Sequence, residues 1–557
     1  MKTPFKFLLF IAASSIFMAC GSVGQLVSTP IENIDSMPLK ATPLTEDQYK
    51  VWGHLDLVKD TVPGMSVIRT YDEIIKNRKG KTIIVGVIDS GVDITHEDLK
   101  NVLWTNPNEI ANNGKDDDNN GFIDDIHGWN FLGDIVGENM EYVRIMRRLA
   151  PKFENKEESA ISTADRQDYA LYKKVRAEFL KEKQETLANK TQYESILSQI
   201  TPAHAAVSKK LGKENYTKEE LKTLKDDSSL QQEVLMLNQM FSFADNIPKI
   251  IKELGEGITY FSGRLNNNFN TEANFRAVLG DNPYDITDTK YGNNQVSGPD
   301  PKMEDVKHGT HVSGIIAAQR NNGIGMNGVA QNVQIMVVRA VPDGDEYDKD
   351  VALAIRYAVD NGAKVLNTSF GKFYSPNAEW VFDAIKYAAE KDVLIVNAAG
   401  NDGIDLDDDG VNVYPNDQTN NLTEISDTFL SVGALTYTYG SGMVTDFSNY
   451  GKSNVDVFAP GDKIWATTPN NEYEFLQGTS MAAPNVTGIA AMLRSYYPQL
   501  SAAQVKQIIM DSGLSSSATV ILGGEQDNTR KFSEISKSGK MVNMYNAFLL
   551  AERITKN

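Results

Sequence analysis

The run of residues 83–88 constrains the fold more than any other part of the sequence. It consists of β-branched residues and one glycine, with no polar residue on either face. Strands of this kind are buried on both sides, as in a parallel sheet covered by helices. Asp89 follows the run directly, and open α/β sheets bind ligands beyond the carboxyl ends of their strands. The sequence therefore predicts an α/β fold with Asp89 at the functional edge of a parallel sheet.

Segments with strand and helix patterns alternate in the second half of the chain. Residues 333–338, 365–367 and 393–396 are predicted strands, and residues 351–361 and 379–391 are predicted helices. This alternation is typical of a doubly wound parallel sheet with helices on both faces.

A small-residue turn, Gly478-Thr479-Ser480, leads into the apolar stretch 486–493, which has helical length. Gly478 permits a tight turn, and Ser480 stands where the helix should begin. Amide dipoles at a helix start favour negative charge developing beside the hydroxyl, so Ser480 is a candidate nucleophile. The alternative is an ordinary helix N-cap.

His308 lies at the predicted start of another helix, in the segment His308-Gly309-Thr310-His311. An imidazole can take the proton of a serine hydroxyl, and an aspartate can hold that imidazole in the required tautomer. A lone histidine or aspartate is more often structural. Together, however, Asp89, His308 and Ser480 form a candidate hydrolytic triad.

Five blocks of sequence resemble the subtilisin-like serine peptidases, or subtilases, and they occur in the family's order. The resemblance covers residues 81–130 and 301–550, and it implies a subtilisin-like α/β fold, serine endopeptidase activity through an acyl-enzyme intermediate, and no catalytic metal. The blocks are Val87-Ile88-Asp89-Ser90-Gly91-Val92-Asp93 with His96-Glu97-Asp98-Leu99, His308-Gly309-Thr310-His311-Val312-Ser313-Gly314, Asn367-Thr368-Ser369-Phe370-Gly371, Asn397-Ala398-Ala399-Gly400-Asn401, and Gly478-Thr479-Ser480-Met481-Ala482-Ala483-Pro484.

The same resemblance implies a role for each residue of the site. Ser480 would attack the substrate carbonyl, His308 would transfer the proton, and Asp89 would orient His308. Asn401 would donate its side-chain amide to the oxyanion, although Gly-Asn-Asp-Gly is also strong turn chemistry. Val413 stands where many family members carry glycine, so we expect a narrow pocket that prefers small or modest apolar residues before the cut bond. The implied substrate-binding residues are Ser369, Phe370, Gly371, Ala399, Gly400 and Val413.

Asp98 lies at the offset from Asp89 at which the family supplies a carboxylate to a calcium site. By that match Asn322 would contribute its side-chain oxygen, and Ile324 and Met326 their backbone carbonyls. Hard oxygen ligands of this kind suit Ca²⁺. The alternative is a glycine-rich turn beside a helix-capping aspartate.

Two further segments begin like calcium-binding loops, with oxygen-bearing side chains at alternate positions and a glycine at the bend. Neither is an EF-hand, because His127 and Asn416 stand where the twelfth-position glutamate would be. Solvated acidic turns are the alternative. The predicted ligands are Asp116, Asp118, Asn120 and Asp125 in the first loop, with Asp124 as the alternative to Asp125, and Asp405, Asp407 and Asp409 in the second.

The first nineteen residues have the pattern of an export signal, with Lys2 and Lys6 before the apolar run 7–13, which is too short to span a bilayer. Phe17-Met18-Ala19-Cys20 resembles a bacterial lipobox, which makes Cys20 a predicted lipidation site; ordinary signal cleavage is the alternative. The expected location is the cell envelope, with the protein lipid-anchored at the outer membrane or cell surface and facing the periplasm or the exterior. Without lipidation of Cys20 the protein would be secreted.

These features divide the chain into a predicted signal peptide (1–19), a lipidated N-terminus and linker or N-terminal arm (20–60), and a peptidase domain (61–135 and 270–557). Residues 136–269 are a predicted mainly α-helical insertion, because apolar residues recur three and four apart among charges. We interpret those mixed charges as a solvated face. We expect the insertion to shield the active site or to restrict substrate access.

The net charge of −19 argues against nucleic acid or an anionic membrane as a partner. Clustered aspartates point to cations instead, so the predicted cofactor is structural Ca²⁺. The predicted partners are protein or peptide substrates and the membrane reached through Cys20, and the chain is expected to be a monomer. Two alternatives stay open: a catalytically silent, calcium-dependent surface binding protein on a subtilase fold, and a structural calcium-dependent surface protein.

Overall fold

The computed structural model describes residues 29–32, 34–38, 40, 42–418 and 423–556. The predicted signal peptide and Cys20 lie outside these residues. No helix within the described ranges is both long enough and apolar enough to cross a membrane.

The strands form one large sheet and two hairpins. The order in the large sheet is β10-β13-β7-β6-β5-β4-β1-β3-β2, and neighbours are parallel except β10 and β13. The hairpins are β8–β9 and β11–β12. The strands are β1 (Ile83–Asp89), β2 (Gly128–Asn130), β3 (Val333–Arg339), β4 (Val365–Thr368), β5 (Leu394–Ala398), β6 (Phe429–Leu435), β7 (Val457–Pro460), β8 (Ile464–Thr468), β9 (Glu472–Leu476), β10 (Leu514–Ser515), β11 (Thr519–Leu522), β12 (Glu525–Lys531) and β13 (Lys540–Met541).

The α-helices precede the sheet, join its strands and build the insertion between β2 and β3. They are α1 (Glu46–Val51), α2 (Leu57–Asp60), α3 (Val67–Thr70), α4 (Glu141–Phe153), α5 (Arg166–Leu211), α6 (Lys218–Lys222), α7 (Gln231–Met240), α8 (Ile247–Gly263), α9 (Lys307–Ala317), α10 (Asp348–Asp360), α11 (Ala378–Glu390), α12 (Thr479–Tyr496), α13 (Ala502–Ser512) and α14 (Met544–Lys556).

The central strands are buried on both faces of the sheet. Along β1, Val85 and Val87 belong to the hydrophobic core on one face, and Ile88 belongs to the core on the other. Helices α9 and α12 contribute to the first core, and α10 and α11 to the second. The predicted doubly wound α/β fold is therefore confirmed.

The insertion is helical, as the apolar spacing predicts, and it contains two hydrophobic clusters joined by α5. Phe179 packs near Tyr142 and Phe269 in one cluster, and Val207 and Leu237 belong to the other. Helix α5 has 46 residues. At 1.5 Å per residue it is about 69 Å long, so one helix connects both clusters.

The segment before β1 packs against the rest of the protein. Trp52 is 1% exposed, and its indole N–H donates to the carbonyl of Asp462 at 2.9 Å. The Asn546 side chain exchanges two hydrogen bonds with the backbone of Ile31, at 2.8 and 2.9 Å. These contacts favour the N-terminal arm over the free linker for this segment.

Candidate active site

Five predicted site residues lie at one edge of the large sheet. Asp89 ends β1, Ser369 follows β4, and Asn401 follows β5. Ser480 lies in the first turn of α12, and His308 in the first turn of α9. Parallel strands end at a common edge, so residues that are far apart in sequence meet there.

Asp89 and His308 are in direct contact. The two residues are 219 positions apart, and His308 Nδ1 lies 2.8 Å from Asp89 Oδ1. The close approach requires Gly309, because a Cβ at that position would lie 2.1 Å from the Gly91 carbonyl oxygen and 3.1 Å from Asp89 Oδ1. Burial favours the neutral imidazole, but the Asp89 carboxylate outweighs this effect and raises the pKa of His308 above its ordinary value of 6.5.

Ser480 and Ser369 exchange hydrogen bonds. Ser480 Oγ donates to the Ser369 carbonyl at 3.0 Å, and Ser369 Oγ donates to the Ser480 carbonyl at 2.9 Å. In this arrangement the Ser480 hydroxyl points to Ser369, in the segment 369–371 that directly follows β4 and that we call the cleft wall. The Ser480 hydroxyl must release this bond before it could donate to His308.

Asn401 is exposed, and hydrogen bonds to its Oδ1 atom fix the orientation of its side chain. Its Oδ1 accepts hydrogen bonds from the Thr479 backbone N–H at 2.8 Å and from Thr479 Oγ1 at 3.0 Å. This leaves the Asn401 Nδ2 group to donate elsewhere, as an oxyanion donor must. The sequence reasoning missed the orienting role of Thr479, although its place beside Ser480 in the Gly-Thr-Ser turn was a usable signal.

The predicted substrate-binding residues surround this edge. A Cβ at Gly371 would lie 3.2 Å from Val413 Cγ1, so the Val413 side chain borders Gly371. The backbones of Lys372 and Tyr414 exchange hydrogen bonds of 2.9 and 2.8 Å, which fix the two segments side by side. Directly after β4 come Ser369, Phe370 and Gly371, and directly after β5 come Ala399 and Gly400.

The first acidic loop brings three carboxylates together. Ligand oxygens of Glu109, Asp118 and Asp125 all lie within 4.8 Å of one another. Burial raises the pKa of Asp125 to about 6, and the nearby Asp118 contributes to this shift. Glu109 was not predicted, because it lies before the alternating pattern of the loop. Such a donor set fits a hard cation, which would offset the repulsion among the carboxylates.

Other predicted ligands have protein partners. Asp116 accepts hydrogen bonds from the backbone N–H groups of Asn120 and Gly121, at 3.0 and 2.8 Å, and lies outside the carboxylate group. In the second loop Asp405 pairs with Arg530 at 2.6 Å, and Asp407 accepts from the backbone N–H of Ser453 at 2.9 Å. In the parts of the chain that the structure describes, the second loop, which includes Asp409, gathers no such carboxylate group.

Asp98 is fully buried and lies against the segment that the resemblance indicated. The Asn322 side-chain amide donates to Asp98 Oδ1 at 2.6 Å, and the Met326 backbone N–H donates to Oδ2 at 3.0 Å. The backbone N–H of Ile324 donates to Asn322 Oδ1 at 3.1 Å. The four residues thus lie close together, and hydrogen-bond donors rather than the predicted oxygen ligands face the Asp98 carboxylate.

The raised pKa of His308 gives a direct test of the Asp89 contact. We expect an imidazole pKa above 6.5 in the wild type and a lower pKa in Asp89→Asn, where the carboxylate charge is lost. Because the folded pKa is the higher one, protonated His308 stabilises the fold below about pH 6.5, and this contribution is lost as the pH rises through the folded pKa.

NMR titration measures both values, with His308→Gln used to assign the signal among the six histidines. An unchanged pKa in Asp89→Asn would contradict the assignment of the shift to Asp89.

The subtilase family model matches residues 80–533. The cell wall-associated protease of Bacillus subtilis (strain 168) is 38% identical over 43% of this chain and 25% of its own length. The thermophilic serine proteinase of Bacillus sp. (strain AK1) is 38% identical over 38% of this chain and 46% of its own length. A solved structure of proteases from Pseudoalteromonas arctica has 27% identity and a TM-score of 0.34, and covers 44% of this chain and 70% of that chain.

The chain thus spans between a quarter and a half of the length of the two Bacillus relatives. The family match extends over most of the chain, from just before β1 to just after β12. The chain belongs to the subtilase family of peptidases.

Proposed function

We propose that the protein is an exported serine endopeptidase that cuts peptide bonds with Asp89, His308 and Ser480. The observation that carries this proposal is the 2.8 Å contact between Asp89 and His308, made at the sheet edge where α12 presents Ser480. A histidine oriented by a buried carboxylate is the base that a serine nucleophile needs. The silent binding protein is the less supported alternative, because it would not require this contact.

The reaction proceeds through two acyl-transfer steps. Ser480 Oγ attacks the substrate carbonyl carbon while His308 accepts the hydroxyl proton, and His308 then gives that proton to the leaving amine. The C–N bond breaks and an ester to Ser480 remains. Water attacks this ester with the same proton transfers, which releases the acid and restores the serine. Asp89 stabilises the imidazolium that forms in both steps.

The negative oxygen of each tetrahedral intermediate requires donors that are already in place. Asn401 supplies its Nδ2 group, whose direction is fixed because Thr479 occupies the Oδ1 end. The Ser480 backbone N–H lies in the first turn of α12, where N–H groups have no partner within the helix. Because both donors are already in position, the protein does not have to reorganise as the negative charge develops, and the activation barrier is lower.

We expect Ser480→Ala to lower kcat for a fluorogenic peptide by about 10⁶-fold, and Asn401→Ala to lower it by about 10²- to 10³-fold with little change in KM. Both magnitudes are those of subtilisin. Ser441→Ala, at an exposed loop position, is the control and should keep full activity. Substantial cleavage by a folded Ser480→Ala variant would exclude the mechanism.

We also propose that Val413 narrows the pocket for the residue before the cut bond. Its Cγ1 atom occupies the space beside Gly371, where a longer side chain of the substrate would enter. The preferred substrates would then carry small or modest apolar residues at that position.

Val413→Gly is expected to increase the ratio of kcat/KM for phenylalanine over alanine before the cut bond by about 10- to 200-fold, the range for a change of one methylene or more in an apolar pocket. Val58→Ala, at an exposed valine of α2, is the control and should leave the ratio unchanged. Equal cleavage after phenylalanine and alanine by the wild type would refute the narrow pocket.

We propose that Glu109, Asp118 and Asp125 hold a structural Ca²⁺ ion. Three gathered carboxylates, one of them fully buried, support this proposal. The ion would tie the loop to the sheet, since Asp125 also accepts a hydrogen bond from Tyr357 of α10 at 2.6 Å. Asp98 with Asn322 is a second proposed site, which needs the Asn322 amide to turn its oxygen toward the ion.

Calcium at about 100 times its Kd is expected to raise the free energy of unfolding by about 2.7 kcal/mol, and chelation is expected to remove this increment. Asp118→Asn should remove the part of the increment that belongs to the first site and leave any part contributed by Asp98 and Asn322, whereas Asp407→Asn in the second loop should retain the whole increment. Thermal unfolding with calcium and with a chelator measures both. A full calcium increment in Asp118→Asn would contradict the first site.

The remaining proposals concern location and access. The lipobox-like sequence supports lipidation of Cys20 and, with it, a cell-envelope location. The intact mass of the purified protein would show the lipid.

We also propose that the insertion (136–269) borders the cleft. Glu141 of the insertion contacts Lys372 at 3.0 Å, and Lys372 is the residue after Gly371 of the cleft wall. Protein or peptide substrates, rather than nucleic acid, fit the net charge of −19.

A further inference from the structure

A cavity of about 400 Å³ lies between α4, the segment 274–284 and Tyr347. It is unusual because the chain as a whole has a net charge of −19. Four arginines and only one aspartate provide the charged side chains of its lining: Arg144, Arg147, Arg148, Arg276 and Asp281.

Arg276 and Asp281 form an ion pair in the lining of the cavity. Arg276 is 3% exposed and donates to Asp281 at 2.8 Å and to Asp350 at 2.6 Å. Lys349 also contacts Asp281 at 2.8 Å. The only lining carboxylate is therefore fully engaged and does not neutralise the other arginines.

Arg144 also lines the cavity, and protein carboxylates compensate its charge while one of its donors stays unused. It is 5% exposed and donates to the carbonyls of Asp345 at 2.7 Å and Glu346 at 3.1 Å. Two carboxylates pair with its guanidinium: Glu141 is in direct contact, and Glu138 lies at 4.0 Å. Its buried Nε has no hydrogen-bond partner among the described residues. A buried donor without an acceptor is costly, so an incoming oxygen atom would stabilise it.

Arg147 and Arg148 retain unused donors. Arg147 Nη1 donates to Asn139 Oδ1 at 2.8 Å and to the Ala273 carbonyl at 2.7 Å, neither of which carries a charge. The exposed Arg148 guanidinium lies 5.5 Å from the centre of the Tyr284 ring. Neither arginine forms an ion pair with an acidic side chain of the described ranges. Two guanidinium groups are thus available to an anion.

From these contacts we infer that the cavity binds carboxylates of an acidic polypeptide segment. Guanidinium groups match carboxylates in two-point hydrogen bonds. The volume of about 400 Å³ exceeds what a small oxyanion fills, and Tyr284 and Tyr347 give the cavity aromatic walls. A peptide carries both the carboxylate and the apolar atoms that such a site accommodates.

The cavity is connected to the wall of the proposed cleft. The Glu346 carbonyl accepts hydrogen bonds from Arg144 at 3.1 Å and from Lys372 at 2.7 Å. Lys372 directly follows Gly371 of that wall. The inference rests on the proposed function in this one respect: the acidic segment belongs to a substrate that the cleft also holds.

Direct binding tests the inference without cleavage. The full chain carrying Ser480→Ala is titrated into fluorescein-labelled hexaglutamate, and the fluorescence anisotropy gives Kd. Adding Arg147→Gln and Arg148→Gln is expected to weaken binding at least about tenfold, which corresponds to about 1.4 kcal/mol. The matched control, Arg176→Gln with Lys181→Gln, removes two positive charges from exposed positions of α5 and should leave Kd unchanged.

An unchanged Kd in the Arg147→Gln, Arg148→Gln variant, or equal binding of hexaglutamine, would overturn the inference. Displacement of hexaglutamate by excess inorganic phosphate would assign the cavity to a free oxyanion and overturn the peptide assignment. Failure of binding in a chain that cleaves peptides removes only this inference, whereas binding by a chain without Ser480-dependent cleavage removes the proposed function and the assignment of the segment to a substrate, and leaves the acidic-peptide site. Circular dichroism confirms that each variant is folded.

Discussion

The central position of β1 in the sheet is the constraint on which the site depends. The strand is paired with β3 on one side and β4 on the other, with Asp89 opposite Arg339 and Ile88 opposite Thr368. A shift of one residue would turn each side chain of this strand toward the other core, so the register decides which face of the sheet Asp89 presents. Arg339 then holds the segment after β1 in place, since its guanidinium donates to the Ser90 carbonyl at 2.9 Å and to Asp305, just before α9, at 3.0 Å.

The buried Asp89 carboxylate gives this arrangement its chemical character. It is 1% exposed, and its Oδ1 accepts from the Ser90 backbone N–H at 2.7 Å and faces His308 Nδ1. Its Oδ2 has no hydrogen-bond partner among the described residues. A buried anion with few donors is best compensated by a cation beside it. The Asp89 carboxylate thus raises the pKa of His308 above its ordinary value.

The sequence predicts the fold well because the fold depends on local patterns. Residues 365–367 and 393–396 fall within or beside β4 and β5, and the Gly-Thr-Ser turn marks the start of α12. Contacts between distant segments were not predictable. Thr479 orients Asn401 only after β5 and α12 have come together, and Glu109 joins Asp118 only when its loop folds back.

The arginines of α4 illustrate the same limit. Mixed charges on an amphipathic helix predict a solvated face, and nothing local distinguishes Arg147 and Arg148 from other surface residues. Packing of the segment 274–284 against α4 turns this face into the lining of a cavity. The ionic partners that anchor it, such as Asp350 for Arg276, come from α10.

The central claim is that distant segments activate one serine at the edge of the sheet. A fluorophosphonate probe followed by mass-spectrometric peptide mapping measures which residue is activated. The account predicts modification of Ser480 alone, with the rate of labelling greatly reduced in a folded His308→Ala variant. Modification of a different residue, or undiminished labelling of Ser480 in His308→Ala, would contradict it.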